Sequence, residues 1–447
     1  MHALRFTIIN QFARMASGPV ILMLLPFFLS VELQGYWFAM TSITALVAFA
    51  DMGLSTALIH YAAHEHAKLE QSVLQNGTNI TNYRFRLETL RVFAWQRSTS
   101  VALWVLPCAL LIATYMLTGQ ADTIHWEGPL VFLCLASAAS LVLTIVLAYY
   151  EGCNDVARIQ RMRAVIAIVN VSMLALGLLL GIGLWTLPLA TGASTALGFI
   201  FVWQHSRKHL EIGNTCPAAQ VNAEVRAWSR EITPLLQKYA ASWIGGYVMF
   251  QLFTPIVFKL EGAAAAGRVG LTIAIFTAIF TLSNVWSTYQ LPGFSMAIAV
   301  RDRNALNIIM SNALKGVLLT YLILISIAAT AYLMLFNYPQ FSERILGAEA
   351  LWILAVVWFF QLLVHNMAVY LRAFKEEPLV WHTLIAAVHT VVATLIVVKF
   401  LGVDHLFIGF LTVYIWFLPA VYLLYKRKRK AIQNWPVLTS QQASDGH

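Results

Sequence analysis

The sequence predicts an all-α integral membrane protein of about twelve transmembrane helices in two pseudo-symmetric six-helix bundles. Three observations carry that expectation. Of 447 residues, 60% are hydrophobic and only 11% are charged. With a mean hydropathy of +0.71, this is more apolar surface than a water-soluble globule of this length hides. The apolar residues fall in continuous runs, each near the ~20 residues that cross a ~30 Å hydrocarbon layer. A polar stretch near the midpoint divides those runs into two sets of six. The runs do not alternate apolar and polar positions, so a β-barrel is not expected, and backbone groups in lipid are then satisfied within helices.

The first run, 7–30, follows Arg5 alone, exceeds the length of a signal-peptide core and lacks a small-residue cleavage site, so the chain is expected to retain it. Pro19 and Pro26 inside it, and Pro255 in a later run, remove backbone donors and predict bends. The next runs span 36–62, 98–118, 129–151, 164–184 and 186–205. After the polar stretch come 236–258, 268–292, 311–336, 349–372, 380–400 and 406–425. The expected division is an N-terminal bundle, 1–205, carrying a cytoplasmic loop 64–97; a cytoplasmic linker, 206–235; a C-terminal bundle, 236–425; and a basic tail, 426–447. A weak internal echo aligns Gln11, Gly18, Pro26 and Gly35 with Gln237, Gly245, Pro255 and Gly267, as a duplicated bundle would.

Orientation follows from the cations. Most of the 29 Lys and Arg lie in segments on the N-terminal side of the membrane, leaving Lys259, Arg268, Arg344 and Lys399 opposite. The positive-inside rule then places both termini in the cytoplasm. The net charge of +9 reflects this topology, and no nucleic-acid partner is expected. Connections on the other side are short and leave no room for an external domain. The four cysteines show no CxxC spacing, so neither a disulfide framework nor a metal cage is expected.

Charges inside apolar runs usually mark function. Arg14 lies on the order of 12 Å inside the first run and Asp51 on the order of 16 Å inside the second, by the helical rise of ~1.5 Å per residue. One reading is a structural ion pair. The other is a wet cavity in which Arg14 offers a guanidinium fork to a phosphate or carboxylate while Asp51 orients it or titrates. If the echo is real, Lys238 takes the place of Arg14 in the second half, and Arg268 adds a further cation. Both are interfacial anchors in the plainer reading. Glu151 ends the fourth run and is read as interfacial before ion-coupling. His60 and His64, one turn apart, have no third ligand at fixed spacing, so no metal site is expected. His365, His382 and His389 are read chiefly as helix-to-helix hydrogen-bonding groups, with His365 a candidate for a pathway. No P-loop or nucleophile elbow occurs, which argues against an enzyme, and no cofactor is expected beyond a coupling proton or sodium ion.

The first two helices, with the Gly35-Tyr36 step and then Asp51-Met52-Gly53-Leu54-Ser55, resemble the opening of Wzx-type polysaccharide flippases of the multidrug/oligosaccharidyl-lipid/polysaccharide (MOP) exporter superfamily. Tyr150-Glu151-Gly152-Cys153-Asn154-Asp155-Val156-Ala157-Arg158 resembles that family's Gly-containing turn with a following Arg. Met52 stands where the family usually has Leu. These motifs lie in the first 160 residues, and the second half matches by topology alone. The resemblance implies a MATE-like V shape and alternating access around a central cationic cavity. The candidate cations are Arg14 and, through the internal echo, Lys238 with Arg268, and Asp51, Glu151, His60 and His365 are candidates to line it or couple an ion. It implies an undecaprenyl-pyrophosphate-linked O-antigen or other surface-polysaccharide repeat as cargo. The bacterial inner membrane is the implied setting, with membrane lipids, a polysaccharide polymerase and a chain-length regulator as partners. An ion-coupled small-molecule exporter of the same superfamily is the alternative, ahead of a membrane polysaccharide polymerase.

Overall fold

A computed structural model of the chain describes residues 21–74, 80–118, 124–206, 217–299, 301–374 and 377–432. Their regular structure is entirely helical. Ten of these helices are long and apolar enough to cross a membrane, or eleven if one bent pair counts as a span. The protein is a multi-pass membrane protein with an all-α fold. Each predicted span from 36–62 onward has a counterpart. The predicted span 7–30, with Arg14 and Pro19, lies outside the described residues except for helical 21–28.

The chain forms two compact units, one of Met1–Tyr247 with Thr254–Gly267 and the other of Val248–Phe253 with Arg268–His447. In the first, α1 (Val31–Phe49) starts at Ser30, whose side chain accepts from Leu33 N at 3.2 Å, with Glu32 in the first turn where the helix dipole favours an anion. It stops at Ala50. Met52 (φ 46°) and Gly53 (φ 80°) then take left-handed backbone before α2 (Leu54–Leu74) resumes. A Met in this region is uncommon, whereas Gly53 adopts it without a Cβ penalty.

Next come α3 (Ile80–Leu117), α4 (Glu127–Gly152), α5 (Val156–Leu179) and α6 (Thr186–Ser206). The span Glu127–Gly152 has 56% of its apolar window buried, which makes α4 the central post of this unit. The expected loop 64–97 is largely helical: α2 runs to Leu74 and α3 starts at Ile80. At 38 residues α3 is on the order of 57 Å long, about twice the ~30 Å layer.

The expected linker is likewise helical from Ala218, where α7 (Ala218–Gln251) begins and runs unbroken past 235. It meets α8 (Phe253–Glu261) at a 44° bend. Pro255 sits in the first turn of α8, where a missing N–H costs least, and the break falls just before it. The first turn of α9 (Ala263–Ser283) crosses α1 at very short range. A Cβ on Gly35 would lie 1.9 Å from the Ala263 carbonyl oxygen, and one on Gly267 2.6 Å from the Val31 oxygen and 3.0 Å from Gly35 N. Gln34 Nε2 donates to Gly267 O at 2.8 Å in the same crossing. The two glycines that the internal echo aligns thus touch, and small residues let the backbones meet.

The second unit contains the rest of α9, then α10 (Val285–Ala299), α11 (Arg303–Leu335), α12 (Ala348–Arg372), α13 (Val380–Leu401) and α14 (Leu406–Ala431). Its core is aromatic. Phe250 stacks on Trp358 with centroids 5.9 Å apart, and Phe253 meets Phe410 at 5.0 Å and Phe407 at 6.0 Å. Such pairs add to the area they bury.

Candidate functional site

At one end of the first unit, α2, α4 and α6 finish while α3, α5 and α7 begin, and this alternation gathers polar side chains. Glu65 on α2 is 3% exposed. Its carboxylate accepts from Lys68 Nζ at 3.1 Å and from Arg86 Nε at 3.2 Å. Arg86, on α3, reaches on to Glu224 of α7 at 3.2 Å, and its guanidinium lies 4.5 Å from the Trp228 ring centroid. Trp228 is buried, donates to Thr89 Oγ1 at 3.3 Å and meets Tyr61 edge-on at 5.9 Å. One arginine therefore ties three helices together through two carboxylates and a ring.

A cavity of about 620 Å³, lined by charged and aromatic side chains, lies at the same end. Arg84, Glu88 and Arg91 of α3, Asp155 and Arg158 at the start of α5, and Tyr149 and Tyr150 of α4 line its wall. Arg91 pairs with Glu88 at 2.8 Å, and Tyr149 donates to Leu87 O at 3.1 Å. Asp155 receives Arg158 at 3.2 Å and His205 at 3.3 Å. Burial pushes the thiol of Cys153 in this wall up to about 12. The lining holds three arginines and two carboxylates, and each carboxylate is paired with one of those arginines.

Among the described sequence-predicted residues, Asp51 and Glu151 share a neighbour, since Arg163 pairs with Glu151 and lies within electrostatic reach of Asp51. Asp51 sits at the α1–α2 break, and its Oδ1 accepts from Ser55 N at 3.1 Å and Ser55 Oγ at 2.7 Å, satisfying the first turn of α2. Arg14 lies outside the described residues. Lys238 is in α7, with its side chain outside them. Arg268 is half-buried on α9, where its carbonyl accepts from Thr272 Oγ1 at 2.7 Å. Glu151 is held by Arg163 at 2.9 Å and Gln160 at 2.8 Å, an α4–α5 tie. His60 is exposed on α2. His365 stands edge-on to Phe280 with centroids 5.4 Å apart. His389 takes the hydrogen-bonding role expected of it: Trp416 Nε1 donates to Nδ1 at 3.0 Å, and Nε2 lies 3.0 Å from Thr412 Oγ1. The acceptor role of Nδ1 fixes the proton on Nε2. No cluster of three metal-ligating side chains occurs among the described residues.

Glu65, Glu88 and Glu224 were not singled out by sequence. Glu65 and Lys68, like Glu88 and Arg91, are i,i+3 pairs, a spacing that marks one helix face and was readable.

No family model matches the sequence, and no curated protein does. Solved structures match across nearly the whole chain. The lipid II flippase MurJ, in an inward closed conformation, is similar at a TM-score of 0.62 and 14% identity, over 95% of this chain and 87% of that one. The eukaryotic MATE transporter AtDTX14 is similar at 0.58 and 12%, over 97% and 99%. This chain has their fold. An inward-facing multidrug resistance MATE family transporter of the MOP superfamily is also similar, at 0.55 and 12%, over 93% and 98%.

Proposed function

We propose that the protein is a flippase that carries an undecaprenyl-pyrophosphate-linked oligosaccharide, an O-antigen or other surface-polysaccharide repeat unit, across the bacterial inner membrane by alternating access. In this reading it is a transporter and not an enzyme. The observation that carries it is the fold, shared over 95% of the chain with the lipid II flippase MurJ. The Asp51–Ser55 turn adds support, because the motif that resembles polysaccharide flippases forms a distinct break inside a long apolar element.

The physical demand is specific. A pyrophosphate and its sugars cannot cross ~30 Å of hydrocarbon unaided, while a prenyl tail gains free energy by staying in lipid. Arg14 is the proposed contact for the pyrophosphate, with Lys238 and Arg268 as further cations and H⁺ or Na⁺ as coupling ion. Newly made cargo would enter from the cytoplasm, the side on which both termini are proposed to lie. A polysaccharide polymerase and chain-length regulator would act after it.

In a deletion strain, surface glycan is expected to be lost and restored by the wild-type gene, whereas Arg14→Gln at equal protein level restores little. Full glycan display with Arg14→Gln would remove that residue from the site. A deletion that sensitises cells to drugs while leaving glycan intact would favour an ion-coupled exporter, the reading that the MATE structures support.

A further inference from the structure

The second unit contains a cavity of about 700 Å³ against α11, α12 and α14, within the ~300–1,000 Å³ that ligand pockets occupy. Its walls are apolar over most of their length, formed by Met310 and Leu314 of α11, Leu363 and Met367 of α12 and Leu418 of α14. One end is different. Asn307, Tyr425 and Arg429 close it, and Arg429 Nη2 donates to Asn307 Oδ1 at 3.0 Å.

We propose that this groove binds one phospholipid with an anionic headgroup, its phosphate on Arg429 and an acyl chain lying along the α11–α14 walls. Three observations select this occupant. The first is length: Leu418 and Arg429 are eleven residues apart on one helix, on the order of 16 Å, half of a ~30 Å hydrocarbon layer. The apolar part of the groove is therefore one leaflet deep, with its cation where a headgroup would lie.

The second is charge. Arg429 belongs to the run Lys426 to Lys430, and neither it nor Lys426, Arg427 or Lys430 has a carboxylate partner among the described residues. Arg429 uses one guanidinium edge on Asn307 and packs 5.7 Å from the Tyr425 ring centroid. A guanidinium offers five donors. Basic pockets between transmembrane helices are suited to acidic lipid headgroups.

The third is packing. Of the α11 residues that line the cavity, Met310 is buried, Asn307 and Leu314 are half-buried and Ser311 is exposed. Asn307, Met310, Ser311 and Leu314 recur at i, i+3, i+4 and i+7, a single stripe along α11 that faces the cavity. An acyl chain seated against that stripe completes packing that the helices leave open.

The full-length protein would be purified in detergent and titrated by native mass spectrometry with phosphatidylglycerol, phosphatidylcholine and undecaprenyl phosphate. The proposal expects one phosphatidylglycerol bound in clear preference to phosphatidylcholine. Arg429→Gln should weaken it roughly fivefold, the value of one cation near a membrane surface. Leu314→Trp, which fills the groove and keeps the charge, should weaken it at an unchanged melting temperature. Arg429→Lys should recover part of the loss. Equal binding of the two phospholipids, wild-type binding by both Arg429→Gln and Leu314→Trp, or displacement of phosphatidylglycerol by equimolar undecaprenyl phosphate would each overturn it; the last would assign the groove to a prenyl chain. None of these results depends on whether the protein moves glycans.

Discussion

The two units bury polar groups by different means. In the first, charges are taken inside and neutralised locally: Glu65 by Lys68 and Arg86, and Glu151 by Arg163. In the second, the interior pairs are neutral: Ser287 with Asn366, Tyr414 with Gln361 at 2.8 Å, Tyr321 with the Ala355 carbonyl at 2.6 Å, and Trp416 with His389. A buried ion pair is costly to assemble and far costlier to break on one side, whereas a neutral bond between membrane helices is worth little either way. The first unit should therefore be brittle towards single substitutions at its polar end, and the second tolerant of them.

The sharpest way to break that contrast is Glu65→Ala. It removes the buried carboxylate that Lys68 and Arg86 share, and Arg86 loses one of its two carboxylates. Losing one partner of a buried pair costs ~3–5 kcal/mol, and the lower end applies because Arg86 is 32% exposed. Thermal unfolding in detergent should fall clearly. Glu65→Gln with Arg86→Gln should cost less than the sum of the two single changes. If the single changes simply add, the cluster is not a coupled network.

Gly35→Ala comes next. Its Cβ would lie 1.9 Å from the Ala263 carbonyl oxygen, so α1 and α9 must separate, an overpacking cost of ~1–3 kcal/mol. Gly192, in α6, has nothing within 4 Å of its would-be Cβ, and Gly192→Ala should be neutral or slightly stabilising. Equal effects of the two substitutions on the melting temperature would remove the close crossing as a determinant of the first unit.

The same contrast explains what was legible in the sequence. The spans were readable because apolar windows report only on the local chain, and from 36–62 onward each predicted window has a helical counterpart. The helical continuation through 64–74, 80–97 and 218–235 was not, because those stretches are charged and their stabilising partners are remote. Arg86 finds Glu65 at a separation of 21, and Trp228 finds Thr89 at 139. Gln34 finds Gly267 at 233. Asp51 was readable as a charge within an apolar segment, but its acceptance from Ser55 depends on the left-handed Met52-Gly53 step between them. The role of Glu151 was open until the turn at Asn154 brought Gln160 and Arg163 back beside it.

In the second unit the matching test is Ser287→Ala. Asn366 then loses its Ser287 contact but keeps its bond from Nδ2 to the Leu362 carbonyl at 2.8 Å. Hydrogen bonds between membrane helices average ~0.6 kcal/mol and reach ~1.7. The melting temperature should therefore move much less than with Glu65→Ala. A comparable loss would mean that neutral networks carry the second unit as strongly as ion pairs carry the first.

The smallest effect concerns Cys153, in the cavity wall at the charged end. Burial raises its thiol to about 12, whereas a free cysteine titrates near ~8.5. Between those values the folded chain keeps a proton that the unfolded chain releases. This contribution to stability is intact below ~8.5 and declines as pH rises towards 12. Only the thiolate is nucleophilic, so iodoacetamide at pH 8.5 should label Cys153 slowly in the folded protein and rapidly after denaturation, as read by peptide mass spectrometry. Fast labelling of the folded protein would mean that the cavity admits water and charge more freely than its ion pairs imply.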